Sequence, residues 1–223
     1  MSLRVRQAGS EKNLLKFILK KDYNLVLNGQ NEQGLKEFAE KDNVDIIIGD
    51  LTKQETINQI AEIITNKHQQ LDILINNADI TYIQPFEKNT PEQLEQLLAI
   101  DLKAPMLLTH ELYPLMVKQQ SKTIININSS AGKEGKANHT MYSAAKFGLY
   151  GFSQSLRLEA KQHGIRVISI HPGGVNTPLY DSLEKPVDAF NYMDTKKVAE
   201  LIATLSETGG LSPDEITINR FIK

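Results

Sequence analysis

Thr123–Lys146 reads TIININSSAGKEGKANHTMYSAAK, and the order of residue types within it decides the fold. The β-branched apolar run Thr123–Ile127 predicts a buried strand. A polar, glycine-containing loop follows from Asn128 to about Thr140, and Tyr142-Ser143-Ala144-Ala145-Lys146 opens a helix with an apolar face. Tyr142 and Lys146 stand four residues apart, so on a helix they lie one above the other. An ammonium beside a phenol favours the phenolate, which suits the phenol to general acid–base work. Ser129, at the end of the strand, is placed where a hydroxyl polarises a substrate carbonyl. A Tyr-x-x-x-Lys pair alone is equally an exposed helical pair; its surroundings have to choose.

Outward from that stretch, strand and helix signals alternate, which predicts a parallel sheet with helices on both faces. Strands are expected at Asn24–Leu27, closed by Asn28-Gly29, at Val44–Ile48, ending at Gly49-Asp50, and at Leu71–Ile75, followed by Asn76-Asn77-Ala78. Two more fall at Val167–Ile170, before Pro172-Gly173-Gly174, and at Glu215–Asn219. Helices are expected over Glu11–Lys20 with Ser10 as cap, Glu32–Lys41, and Gln54–Lys67 with Thr52 as cap. A long helix capped by Thr90 opens at Pro91 and runs to Val117, with Pro105 and Pro114 marking breaks or kinks. The helix from Tyr142 ends near His163 before Gly164, and a last helix covers Thr195–Ser206. Repeats, low-complexity tracts and linkers are absent, so residues 1–223 read as one doubly wound domain of three α/β/α layers.

With 40% hydrophobic and 23% charged residues, the composition is that of an ordinary globular chain. A net charge of −2 leaves no basic footprint for nucleic acid or an anionic membrane surface. No apolar run approaches the roughly 20 residues that span a bilayer, and no signal-peptide core precedes the first charges. The absence of cysteine excludes disulfides and thiolate metal sites and fits a cytoplasmic protein. His68, His110, His139, His163 and His171 lack metal-ligand spacing, so no metal site is expected.

The Ser-Ser strand end, the thirteen-residue interval from Ser129 to Tyr142 and the small-residue helix resemble the catalytic segment of the short-chain dehydrogenase/reductase family. Asn76-Asn77-Ala78 resembles that family's Asn-Asn-Ala-Gly element, which lets backbone approach the cofactor. Pro172-Gly173-Gly174-Val175-Asn176-Thr177 resembles its Pro-Gly-x-Val-x-Thr segment, with Val175 and Thr177 touching the nicotinamide portion. The family's acidic residue near the adenine corresponds to Asp50, followed by Leu51, although Asp-Leu-Thr is also a common turn into a helix. The resemblance covers about residues 20–220. It implies a Rossmann-like sheet and reversible hydride transfer between NADP or NAD and a small carbonyl or alcohol substrate.

Three departures stand out. The family's glycine-rich phosphate turn corresponds to Leu3–Glu11, where only Gly9 survives and Glu11 brings a carboxylate. The glycine after Asn-Asn-Ala is Asp79, a residue that tolerates unusual backbone angles but adds bulk and charge. The family's relay asparagine corresponds to Asp101, which reads either as a relay group beside Lys146 or as a surface helix residue.

By resemblance, Tyr142 is the proton donor, Lys146 its activator and ribose ligand, Ser129 the carbonyl partner and Asp101 a relay. Gly9, Asp50, Leu51, Asn77, Ala78, Pro172, Gly173, Val175 and Thr177 would join Tyr142 and Lys146 around the cofactor. After the second strand, Asn28-Gly29-Gln30 offers neither a carboxylate for a ribose 2′-hydroxyl nor an arginine for a 2′-phosphate. With nothing there to repel a phosphate, the reading leans to NADP. The segment from Pro178 to Asp194 reads as a short substrate lid bearing Leu179, Tyr180, Leu183 and Phe190. A homodimer or homotetramer is implied, joined through the helices around Thr90–Val117 and Tyr142–His163. The degenerate glycine turn, Asp79 and Asp101 leave an alternative: a family-derived binding or scaffold protein without turnover.

Overall fold

In the computed structural model the described residues are 2–6, 15, 23–119, 122–175, 192–205 and 212–220. Among these residues seven strands form one sheet: β1 (Ser2–Arg6), β2 (Asn24–Gly29), β3 (Val44–Ile48), β4 (Ile73–Asn76), β5 (Lys122–Ile127), β6 (Ile165–Pro172) and β7 (Glu215–Ile218). Their order is β3-β2-β1-β4-β5-β6-β7, and every pairing is parallel. β1, reduced in the sequence to Leu3 and Val5 as apolar residues, is paired on both sides: Leu3 lies beside Leu25 of β2 and beside Ile73 of β4. Strand order reverses between β1 and β4, and in a doubly wound sheet the crevice at such a point, at the carboxyl ends of the strands, takes the ligand.

The alternation of side chains divides the core in two. Leu25, Leu27, Ile73, Ile75, Ile125 and Ile168 face one layer with Leu35 and Phe38 of α1 (Glu32–Ala39). Val198, Ala199 and Ile202 of the helix Thr195–Leu205 complete that side. Val26, Leu74, Ile124 and Val167 face the other layer. There they meet Ile57 and Ile60 of α2 (Gln54–Glu62) and Leu108, Leu112 and Met116 of a helix described below. Each fully buried Leu or Ile contributes about 1.5–3 kcal/mol, so burial on both faces holds the short strands together.

Several elements depart from expectation. Thr52 does not cap α2. Lys53 is the N-cap residue and gives no side-chain cap, while Asp50 Oδ1 accepts from the Thr52 N–H at 2.9 Å and shapes the turn itself. Thr90 does cap α3 (Pro91–Leu98), in a reciprocal capping box with Gln93. Between α3 and α4 (Ala104–Val117) the chain makes a π turn, Ala99–Lys103, and the Ala104 N–H reaches back to the Ala99 carbonyl. Pro105 has no N–H and its ring would crowd the carbonyl four residues earlier; the wider turn absorbs both. Pro114 does not break α4. It lies in the final turn, where it forfeits one N–H bond while buried Leu112 and Met116 anchor the segment. α5 (Thr140–Lys161) begins two residues before Tyr142 and is followed by Gly164 at φ 67°, the left-handed region that glycine enters without cost. α6 is Thr195–Leu205. Gly9 and Ser10, most of the expected 11–20 helix, Thr177 and most of the expected lid lie outside the described residues. No helix among the described residues is long and apolar enough to cross a membrane.

Candidate active site

Tyr142 and Lys146 share one face of α5, with the Lys146 Nζ 5.4 Å from the centroid of the Tyr142 ring. The ring packs among Leu97 of α3, Ala131 and Ala145, so three elements fix its direction. Lys146 is wholly buried. A buried ammonium must be paired, and two carboxylates supply the charge: Asp79 Oδ1 at 3.0 Å and Asp101 Oδ2 at 3.5 Å. The other Asp79 oxygen, Oδ2, accepts the Tyr142 phenol hydrogen at 3.0 Å. Asp101 Oδ1 accepts from the Ile80 N–H at 3.0 Å, tying the π turn to the loop after β4.

Asp101 is therefore no surface helix residue: its side chain is wholly buried, and the π turn aims it inward. Asp79 needs no special backbone either, since among the described residues the non-glycine positions with left-handed φ are Gln69 and Asn138. Its side chain is the consequential change, because it bridges the two residues of the expected catalytic pair. Burial pushes the Asp101 carboxyl well above its ordinary range, although Lys146 pulls the other way. For Lys146, burial favours the neutral amine, but the carboxylates of Asp101 and Asp79 outweigh it and hold the ammonium above its usual value.

Ser129 ends the extended segment after β5, and its Oγ accepts from the Ala131 N–H at 3.1 Å, leaving its own hydrogen to donate elsewhere. Asn128, one residue earlier, is the brace. Its Nδ2 donates to the Lys146 carbonyl at 3.1 Å, and its Oδ1 accepts from the Ser129 N–H at 2.9 Å. Gly132 permits that contact, because a Cβ there would stand 2.4 Å from Asn128 Oδ1 and 2.8 Å from the Lys146 carbonyl oxygen. Below the site, Asn76 donates to Thr109 and to Asn126, and Asn126 donates to Ser153, which closes on the Leu149 carbonyl. This buried chain joins β4, β5, α4 and α5, and a satisfied buried network fixes a single arrangement.

The sequence reading missed the roles of Asn128, Gly132 and the Asn76–Asn126–Ser153 chain. The available signal was polar residues inside apolar strands, which buried polar groups occupy only with partners.

Of the expected cofactor residues, Leu51, Asn77 and Ala78 line one small pocket together with Pro105, Leu108 and Leu149, with room for about one water molecule. Asp50 lies beside it in the turn before α2. Pro172 ends β6, the Gly173 N–H donates to the Ile218 carbonyl at 2.8 Å, and Val175 forms a bridge with Met193. Asn28 is spent structurally, its Nδ2 donating to the Ile47 and Gly49 carbonyls, so it reads no ribose. Among the described residues no cluster of metal-ligating side chains occurs.

The polar groups around Lys146 fit the hydroxyls of a nucleotide ribose. Lys146 Nζ, Asp79 Oδ1 and Asp101 Oδ2 are buried and make no aligned hydrogen bond despite their charge pairing. A diol offers both the acceptor and the donors that such a set can satisfy.

The model of the short chain dehydrogenase family matches residues 9–188, and the chain belongs to that family. An uncharacterized oxidoreductase of Staphylococcus saprophyticus is 32% identical over 201 residues, covering 87% of this chain and 85% of the relative. Carbonyl reductase family member 4 of Xenopus tropicalis is 28% identical, covering 90% and 87%. Among solved structures, the 3-ketoacyl-(acyl-carrier-protein) reductase of Brucella melitensis complexed with NADH superposes with a TM-score of 0.88 at 21% identity, covering 98% of this chain and 96% of that one. ElxO with NADP bound gives 0.87 at 21% identity, covering 98% and 96%. These likenesses agree with the Rossmann-like α/β fold; at such identities they speak to the fold alone.

Proposed function

We propose that this chain is an NADP- or NAD-dependent oxidoreductase that interconverts a small carbonyl compound and its alcohol, with Tyr142 as general acid–base. The observation that carries this is the buried Tyr142–Lys146 pair on one face of α5, the ammonium 5.4 Å from the phenol ring centroid. When bound, the nicotinamide supplies or takes the hydride. Tyr142 gives the proton to the developing alkoxide, Ser129 donates a hydrogen bond to the carbonyl oxygen, and Lys146 holds the ribose while keeping positive charge near the phenol. Asp101 keeps that charge paired from below. Asp50, Leu51, Asn77, Ala78, Pro172, Gly173 and Val175 would line the nucleotide, and Gly9 and Thr177 belong to the same expected set. The exposed Gln30 after β2 carries no charge to repel a 2′-phosphate, which leans the choice to NADP.

A second reading has one observation in its favour. Asp79 accepts a hydrogen bond from Tyr142 and pairs in charge with Lys146, the groups a substrate and a ribose would use, as a family-derived binding protein without turnover could tolerate. Calorimetric titration of the purified chain with NADPH and NADH separates the two. Micromolar binding of either supports the enzyme; no binding at millimolar concentration sinks it and leaves the binding-protein reading.

A further inference from the structure

Asp79 is the one member of the buried cluster that combines contact with the phenol and access to water. Its side chain is 22% exposed, whereas Lys146 and Asp101 are at 0% and Tyr142 at 6%. The Tyr142 hydroxyl already points at Asp79 Oδ2, and Lys146 stands against Oδ1, so a charge created or lost on Asp79 is balanced within the cluster. We propose that Asp79 is the proton partner of Tyr142, carrying the proton between the phenol and solvent by a direct carboxylate relay.

The proposal rests on the oxidoreductase reading above. In alcohol oxidation the alcohol O–H bond breaks and its proton arrives on the Tyr142 oxygen. The former phenol O–H bond breaks as an O–H bond forms on Asp79 Oδ2. The carbon-bound hydride is taken by the oxidised nicotinamide, and Asp79 releases its proton to water. In reduction each transfer reverses: Asp79, protonated from water, returns to Tyr142 the proton that the phenol has given to the substrate. Asp79 works through Tyr142 and is a positioning and relay residue, not a group that touches substrate.

The charged and titratable groups around it come from every neighbouring element. α5 contributes Tyr142 and Lys146, the π turn contributes Asp101, and the loop before α5 contributes His139, its ring 6.3 Å from that of Tyr142. Asp101 belongs to the same balance, because its Oδ2 stands 3.5 Å from the Lys146 Nζ that also faces Asp79.

The test is a pair of measurements on the full chain and its Asp79→Asn variant, with Asp79→Gly as a second charge-free variant should the first fail to fold. In the cofactor-free protein, the phenolate absorbance of Tyr142 is isolated by subtracting the Tyr142→Phe titration. Without the carboxylate, Tyr142 should ionise at a pH roughly one unit lower. An unchanged titration overturns the proposal, whether or not the chain turns over. With NADP and a secondary alcohol, the pH profile of the variant should differ from that of the wild type, and its plateau rate should fall at least tenfold. A variant with the wild-type pH profile also overturns it. Failure of the wild type to bind any nicotinamide sinks the oxidoreductase reading and leaves the titration to decide whether Asp79 and Tyr142 are coupled.

Discussion

Tyr142 and Asp79, 63 residues apart in sequence, are joined by a 3.0 Å hydrogen bond in which the phenol donates and Asp79 Oδ2 accepts. The residue that departs from the Asn-Asn-Ala-Gly pattern is thus the one bonded to the expected acid. Removing the hydroxyl should separate chemistry from folding. Tyr142→Phe keeps the ring that packs on Leu97 and Ala131 and leaves Asp79 paired with Lys146. We expect kcat/KM to fall by roughly 100-fold or more while stability changes by no more than about 1.5 kcal/mol. Steady-state kinetics beside urea denaturation would show it, and full turnover in the variant would remove Tyr142 from the chemistry.

Asp101 should reveal itself through pH. Its folded carboxyl is raised above the ordinary value of 3.8 by burial, so the folded chain binds its proton more tightly than the unfolded chain. The stability this provides is fully present below 3.8 and is lost as pH rises through the folded value. Asp101→Asn retains an oxygen for the Ile80 N–H and cannot ionise. The variant should therefore gain stability relative to wild type as pH rises from about 4 toward neutrality. Parallel stability curves would mean that Asp101 has the same protonation folded and unfolded.

Much of this was legible in the sequence because its physics is local. The β-branched runs gave the strands, Thr90-Pro91 gave a helix start with a true capping box, and the four-residue spacing placed Lys146 beneath Tyr142. The π turn was not legible, because it depends on how Pro105 is accommodated. The same holds for the destination of Asp79: a side chain in a loop after β4 meets α5 only once the sheet has brought β4 and β5 together. Asn128 looked like any polar residue at a strand end, and its partner, the Lys146 carbonyl, lies 18 residues away.

Gly132 carries a separate prediction, because its need for glycine is spatial. In Gly132→Ala the new methyl would meet Asn128 Oδ1 at 2.4 Å and the Lys146 backbone at 2.8 Å, and backbone cannot swing aside. The brace between Ser129 and α5 must then shift. We expect a loss of about 1–3 kcal/mol, read by thermal denaturation, and a fall in kcat larger than any change in cofactor affinity. An alanine variant of wild-type stability and rate would show that the contact relaxes freely.

His171 supplies a different pH window. It is fully buried on β6, its Nδ1–H donates to the Ser129 carbonyl at 3.2 Å, and Tyr150 packs edge-on at 4.7 Å, near Lys133, Arg157 and Glu215. Burial lowers its pKa from 6.5, so the unfolded chain takes up a proton first. Stability should be intact above 6.5 and decline as pH falls below it toward the folded value. In His171→Gln that decline should flatten. Equal slopes for variant and wild type, measured as melting temperature against pH, would exclude His171 as its source.

The last prediction concerns assembly. Phe147 is 45% exposed and Leu158 77% exposed on α5, eleven residues apart and so close to three full turns, on one face. A single exposed leucine is ordinary; two large apolar residues on one face of a helix that the family resemblance assigns to a two-fold interface call for a partner. We propose that a second copy of this chain covers them. Leu158→Glu would place two like charges near each other across such an axis and bury a carboxylate without a counter-ion. Sedimentation should then show the wild type as a dimer or tetramer and the variant shifted toward monomer at equal concentration. A monomeric wild type, or a variant that assembles unchanged, would assign this face to solvent.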